Sequence, residues 1–235
     1  MLLNKLKKYM LKSIILVLPM TCFAKSIESS TQTNNIISIE SSPQTKKNKS
    51  IESVPAKHDY EINPLYSKIN FEVDHLVVSS VIGEFKEFEG KFKFNPKDFS
   101  QTELIASAKA SSIDTGFNPR NEHLKSADFF DAIKFPLLTF KSTSAKKTGK
   151  NTLDLTGNMT IKDVTKPVTF KIIYKGEFKT KDDIKQSFKA TAKINRKDFG
   201  MNFQMLFEAT PAIGDIITIS ITSEGIHKLS DSTKI

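Results

Sequence analysis

From residue 59 onward the chain alternates apolar and polar positions with a period of two. Ile69, Phe71, Val73 and His75 fall on one side of an extended segment, with Lys68, Asn70, Glu72 and Asp74 on the other. Phe92 and Phe94 alternate with Lys91 and Lys93, and Leu104, Ala106, Ala108 and Ala110 with Ile105, Ser107, Lys109 and Ser111. The pattern continues through Leu153 and Leu155, through Val168, Phe170, Ile172 and Tyr174, through Phe188, Ala190, Ala192 and Ile194, and ends with Ile217, Ile219 and Ile221. Successive side chains of a strand point to opposite faces, so each run predicts a strand with one buried side. About eight such runs predict an all-β antiparallel barrel or sandwich over residues 59–228, long enough to bury a sizeable core. Gly83, Gly90, Gly116, Gly157, Gly176 and Gly200 are expected at turns or bulges.

One stretch breaks the alternation. Thr115 to Ser142 reads TGFNPRNEHLKSADFFDAIKFPLLTFKS. Asn118 is expected as an N-cap with Pro119 at the first helical position. Leu124, Ala127 and Phe130 then share one face, with Phe129 alongside, so a short helix is predicted near residues 119–131 and must end before Pro136. The insert brings Arg120 and His123 beside a run of phenylalanines, an arrangement suited to a ligand with an apolar tail and a polar head. The alternative is a helical plug that caps one end of a barrel. Asp198 to Phe207 is expected to be a second short helix or an irregular loop.

The N-terminus has the pattern of a secretory leader. Lys5, Lys7, Lys8 and Lys12 precede the apolar run Ser13 to Met20, and Cys22-Phe23-Ala24 is a small-x-small site, so cleavage is expected after Ala24. The run is shorter than the roughly 20 apolar residues that span a bilayer. An uncleaved anchor, or lipidation of Cys22, are the alternatives. Cleavage would leave no cysteine and hence no disulfide or thiolate site. No later segment is apolar enough to span a membrane, so a periplasmic or secreted location is expected. Residues 25–58 repeat Ser-Ile-Glu-Ser at Ser26, Ser38 and Ser50, a period of 12 too polar to bury a face. They predict a disordered linker, and residues 229–235 a disordered tail.

Charge narrows the partner class. The whole chain carries +9, but residues 59–228 hold 25 Lys and Arg against 22 Asp and Glu. A nearly neutral domain argues against nucleic acid. The domain has 17 Phe and no Trp. Large rings with Ala106, Ala108, Ala110, Ala190 and Ala192 opposite suit either a long apolar cavity or a tightly packed core. Catalytic signals are missing. His75 and His123 lie 48 residues apart without metal-ligand spacing, and there is no GxSxG or Gly-rich phosphate loop. No catalytic residue, metal or cofactor is expected, and the chain does not read as an enzyme.

His75-Leu76, GEFKEFEGKFKF from Gly83, SIDTGFNPRNEHLKSADFFDAIKFPLLTFKS from Ser112 and TGNMTIKDVTKPVTF from Thr156 occur in order. Together they resemble the YceI-like family of bacterial polyisoprenoid-binding proteins, over about Tyr60 to His227. The resemblance implies a lipocalin-like extended antiparallel β-barrel whose lumen holds an isoprenoid or similar amphiphile, such as a polyprenyl phosphate, quinone, fatty acid or fatty amide. It places His75, Asp114, Arg120 and His123 near the head group, with Phe71, Phe85, Phe117, Phe130, Phe135 and Phe140 as the apolar side of the site. Arg120 has the planar fork that suits a phosphate. The alternative for each polar residue is a structural hydrogen bond: Arg120 to Asp114 or Glu122, and His75 to a carbonyl. The family pattern has an acidic residue directly after the arginine, where this chain has Asn121. The resulting expectation is a secreted lipid-binding protein for transport, storage or sequestration. A structural surface protein with a solid barrel and an enzyme acting on such a lipid are the competing readings. Barrels with exposed edges can pair, which leaves a homodimer open.

Overall fold

The computed structural model describes residues 58–76, 79–204, 206–207 and 210–229. The expected leader and linker lie outside these residues, except that His58 opens the first strand. The expected tail also lies outside, except for Leu229.

The strands are β1 (His58–Ile62), β2 (Lys68–His75), β3 (Ser79–Phe85), β4 (Phe88–Phe94), β5 (Glu103–Lys109) and β6 (Ile113–Asp114). Helix α1 (Asn118–Lys125) follows, then β7 (Leu137–Lys147), β8 (Thr152–Ile161), β9 (Val164–Lys179), β10 (Asp183–Asn195), the small hairpin β11 (Leu206–Phe207) and β12 (Thr210–Pro211), and β13 (Ile213–Lys228). Three pairs run end to end as single staves. The 3-10 turn Pro64–Tyr66 separates β1 from β2, Lys86 and Glu87 separate β3 from β4, and the 3-10 turn Ala110–Ser112 separates β5 from β6. Each stave pairs antiparallel with the next, and β13 closes the ring. Its first half pairs with β2 (Ile219 opposite Phe71), its second half with β1 (Ile226 opposite Glu61), and its other edge with β10. The result is a closed eight-stranded antiparallel barrel with one helix. Closure removes the free sheet edges that an open sandwich would leave.

The alternation in the sequence sets which residues face in. Ala106 lies opposite Phe140, Ala190 lies between Ile172 and Ile221, and Ala192 lies opposite Ile219. Alanine opposite a large side chain leaves the axis unfilled. Gly83 and Gly157 sit inside β3 and β8, and neither is a turn. A Cβ on Gly83 would lie 2.3 Å from Phe71 Cζ, and one on Gly157 2.5 Å from Phe140 Cζ. At both places a ring lies flat against the wall over a missing side chain, which keeps it out of the lumen.

The two ends differ. At one end Tyr60, Phe94, Phe99 and Tyr174 pack ring on ring, with Phe94 5.4 Å from Phe99 and 5.1 Å from Tyr174. Gln186 is fully buried among them. Its amide nitrogen donates to Tyr60 Oη at 3.1 Å and to Glu177 Oε2 at 2.6 Å, and its oxygen accepts from Tyr174 Oη at 2.8 Å. Burial, then the charge of Glu177, pushes the Tyr174 phenol up to about 12. This end is a sealed floor. The other end carries α1 and the segment between β10 and β13.

Helix α1 begins one residue earlier than expected. Phe117 is the N-cap, without a side-chain capping bond, and Asn118 is already helical. It ends at Lys125, short of the predicted 131. Ser126 Oγ and the Ser126 N–H both donate to His123 O, and Asp131 takes a left-handed φ of 47°, so the chain continues as turns through Phe130. Arg196–Phe199 forms one 3-10 turn, and residues 200–204 after it form no helix or strand.

Candidate functional site

The lumen is a cavity of about 400 Å³ that runs from the floor to α1. Phe92 and Phe188 meet edge to face at 5.5 Å on the floor side, with Phe71, Phe140 and the β13 isoleucines along the wall. Phe85, Phe130, Leu124 and Phe129 line it at the mouth. Its walls are overwhelmingly apolar, and its size is that of an ordinary ligand pocket.

The polar residues that line the mouth include Asp74, His75, Arg120, His123 and Arg196. Arg120 is held by the loop before its own helix. Its Nε donates to Thr115 Oγ1 at 2.8 Å and its Nη2 to Thr115 O at 2.9 Å, and the guanidinium lies 5.9 Å from the Phe117 ring. Its partner is therefore Thr115, and neither Asp114 nor Glu122 takes that role. Nη1 carries no hydrogen bond to a described residue. His123 is fixed more firmly. Nε2 lies 2.9 Å from Asp128 Oδ2, and the ring stands edge-on to Phe129 and Phe203 at 5.0 and 4.7 Å. The His75 imidazole has no hydrogen-bond partner among the described residues, and its carbonyl accepts from Ser79 Oγ. His75 and Arg120 thus hold the uncommitted donors of the mouth.

Seven of the ten residues expected at the site line the cavity: His75, Arg120, His123, Phe71, Phe85, Phe130 and Phe140. The other three do not. Asp114 lies opposite Glu84 on the outward side of its stave and pairs with Lys86. That ammonium, then the Gly116 N–H and the Asn121 amide, hold its carboxyl well below the usual carboxylate range. Phe117 caps the helix and is 56% exposed. Phe135 lies beside the Lys134 ammonium, 5.0 Å from its ring centre.

Asn121, where the chain departs from the family pattern, organises this corner. Its side chain is buried. Its oxygen accepts from the Thr115 N–H at 2.8 Å and Thr115 Oγ1 at 2.7 Å, and its nitrogen donates to Asp114 Oδ1 at 2.9 Å. An amide supplies both roles at once, whereas a carboxylate in that place would face Asp114 as a like charge.

Arg196 was missed by sequence reasoning. Its side chain is 2% exposed. The guanidinium donates to Gly214 O at 2.9 Å, Met201 O at 2.6 Å, Phe203 O at 2.8 Å, Gln204 Oε1 at 2.6 Å and Asp215 Oδ1 at 3.1 Å. Burial lowers its pKa, and Asp215 opposes that shift. Arg196 ties the irregular segment to the start of β13 and so shapes the rim on which Phe203 meets His123. The one hint in the sequence was an arginine between the last residue of a strand and a Gly-terminated turn. Among the described residues, no three or more His, Cys, Asp or Glu gather as a metal site, and no helix is long and apolar enough to cross a membrane.

A closed up-and-down barrel around one apolar lumen, with a few polar groups at a helix-covered mouth, is the architecture of a lipocalin-like binding protein. The profile of the YceI-like domain matches residues 60–224, and the chain belongs to that family. Protein YceI of Salmonella newport (strain SL254) is 39% identical over 112 residues, 48% of this chain. The chain spans 58% of the length of that relative. Among solved structures, the Campylobacter jejuni YCEI protein aligns with a TM-score of 0.59 at 26% identity, covering 80% of this chain and 99% of that one. Burkholderia cenocepacia BcnA aligns at 0.62 and 24% identity, covering 69% and 98%. A polyisoprenoid binding domain from Saccharophagus degradans, implicated in plant cell wall breakdown, aligns at 0.53 and 12% identity, covering 71% and 97%. The last two share the fold.

Proposed function

We propose that this chain is a secreted binding protein that holds a long-chain isoprenoid or similar amphiphile inside its barrel, for transport, storage or sequestration in the periplasm. The observation that carries the reading is the continuous apolar lumen of about 400 Å³, closed at one end by the Tyr60–Gln186–Tyr174 network. A tail drawn into it leaves water at a gain of about 25 cal/mol per Å² of apolar surface. The free nitrogen of Arg120 and the His75 imidazole are the groups available to an oxygen-rich head at the mouth. The family, and a shared fold with a domain that binds polyisoprenoids, support the same ligand class.

The proposed role is binding without turnover. His123 is held by Asp128 and two rings, a placement that suits orientation better than proton transfer. The leader read at residues 1–24 supports export.

The test is to purify the full-length chain from the membranes and periplasm of its expressing cell, extract it with organic solvent and weigh what is released. A near-stoichiometric long-chain lipid is expected, falling to a trace when Ala190→Trp fills the lumen. Protein that arrives empty, or a filled variant that carries as much lipid, overturns the reading.

A further inference from the structure

Charge is unevenly distributed around the barrel. Residues 58–136 hold nine Lys and Arg against 13 Asp and Glu, whereas residues 137–195, the staves β7 to β10, hold 13 lysines against five carboxylates. Pairing follows the same divide. Lys91, Lys93 and Lys109 meet Glu61, Glu103 and Glu87 at 2.9, 3.5 and 2.6 Å, and Lys86 pairs with Asp114. On β7 to β10 only Lys185 has such a partner among the described residues, Glu224 at 3.8 Å. Lys141, Lys146, Lys171, Lys175, Lys189 and Lys193 are exposed and make no ion pair with a described residue.

The strand register joins these lysines into one outer wall. Lys146 and Lys171 flank Asp154 in a single row across β7, β8 and β9. One row along, Ile173 lies between Thr152 and Lys189. Lys193 lies opposite Thr218 of β13. Threonines fill positions between the lysines, and Thr156 and Thr169 share a hydrogen bond of 2.8 Å. No two of these lysines lie directly opposite, but Lys171 is diagonal to Lys189 and Lys193 across Thr191, so their charges add to one positive field. Apolar side chains break the polar surface on the same stave: Ile173, between Lys171 and Lys175, and Phe178, which is 66% exposed.

We propose that this lysine wall docks the barrel on the surface of an anionic lipid bilayer. A bilayer fits the wall because of the apolar side chains set into it. Ile173 and Phe178 project among the cations, and the boundary between head groups and acyl chains accepts apolar side chains beside positive charge. The barrel then lies with β9 and β10 against the membrane and its mouth free at one end. The docking surface is separate from the lumen and does not depend on what the lumen holds.

Vesicles of phosphatidylglycerol mixed with phosphatidylcholine, and of phosphatidylcholine alone, test this with the full-length chain. Amine acetylation read by peptide mass spectrometry reports which face is covered. Anionic vesicles are expected to slow acetylation of Lys171, Lys175, Lys189 and Lys193 several-fold and leave Lys91 and Lys93 unchanged, with the effect lost at high salt. Each wall lysine contributes about fivefold to partitioning near an anionic surface. The variant K171T/K175T/K189T/K193T, whose threonines suit strand positions, is therefore expected to lose the protection of Lys141 and Lys146 while carrying as much extracted lipid as the parent. Ala190→Trp, which fills the lumen, keeps the vesicle footprint, so failure of the binding reading and failure of this one are distinguishable. Equal protection of both halves, equal binding to phosphatidylcholine alone, or tighter binding of a soluble sulfated polysaccharide than of vesicles overturns the proposal.

Discussion

Replacing Arg196 with methionine is expected to loosen the mouth and lower the stability of the whole barrel. The substitution keeps most of the side-chain length and removes every donor. Met201 O, Phe203 O, Gly214 O and Gln204 Oε1 each lose a hydrogen bond between 2.6 and 2.9 Å. Asp215 loses one of 3.1 Å but keeps Lys197 at 2.8 Å, so its carboxylate is not left alone. A stranded acceptor costs on the order of 1 kcal/mol after local relaxation, more at the buried Met201 O and less at the part-buried Phe203 O, Gly214 O and Gln204 Oε1. Four of them give about 4 kcal/mol, in line with the roughly 3–5 kcal/mol lost when one side of a buried polar network is deleted. For a domain of this size that lowers the melting midpoint by about 10 °C. Urea unfolding of the parent and the Arg196→Met variant measures the difference directly, and limited proteolysis should cut first within residues 201–204. Arg196→Lys should recover only a part, because one ammonium cannot replace the planar fork. A methionine variant within about 1 kcal/mol of the parent would refute the view that this arginine holds the rim.

Other outcomes follow from the lumen and its ends. Phe188→Ala removes a ring that touches Phe92, Phe94 and Tyr174; it should cost about 3–5 kcal/mol in the empty protein and shift the extracted lipid toward longer chains, and an unchanged chain-length distribution would rule out a floor at that position. Gly83→Ala puts a Cβ 2.3 Å from Phe71 Cζ, so the ring must swing into the lumen, with about 1–3 kcal/mol lost and less lipid carried per chain. The Tyr174 phenol, pushed up to about 12, lies above its unfolded value of about 10, so its contribution is full below that pH and fades as pH rises through the folded value; alkaline melts of Tyr174→Phe should fall less steeply there. Asp114 has the opposite sign, since Lys86, the Gly116 N–H and Asn121 hold its carboxyl low. Its contribution is present above the unfolded value of about 4 and lost in more acid solution, so melts of Asp114→Asn should show a flatter acid limb.

Much of the fold was legible because strand alternation is a local property. The faces of Ile69–Phe71–Val73, Leu104–Ala106–Ala108 and Phe188–Ala190–Ala192 follow from chain geometry alone, and each faces the lumen as expected. The site was legible in part for the same reason. Phe71, Phe85 and Phe140 lie on inward positions of strands, whereas Phe117 and Phe135 lie in a cap and a turn, where period carries no information about direction. Asp114 was misplaced because its direction depends on a two-residue strand, β6.

Ring closure, the choice of a lumen over a packed core and the partners of its polar residues were decided only in three dimensions. Closure needs β13 to meet β1 and β2 across more than 130 residues of chain, and no local pattern encodes that pairing. Composition left both a packed core and a cavity open, because both place large side chains against small ones. The choice was made where Phe71 and Phe140 lie flat over Gly83 and Gly157, a matter of ring direction rather than residue type. Gln186 finds Tyr60 126 residues away, and Arg196 finds Met201 O and Phe203 O in a segment without secondary structure and Gly214 O at the start of β13. The lysines were visible in the sequence as one solvated face among others; it took the register of β7 to β10 to gather the unpaired ones on a single wall, since charge becomes a surface only once the strands that carry it are adjacent.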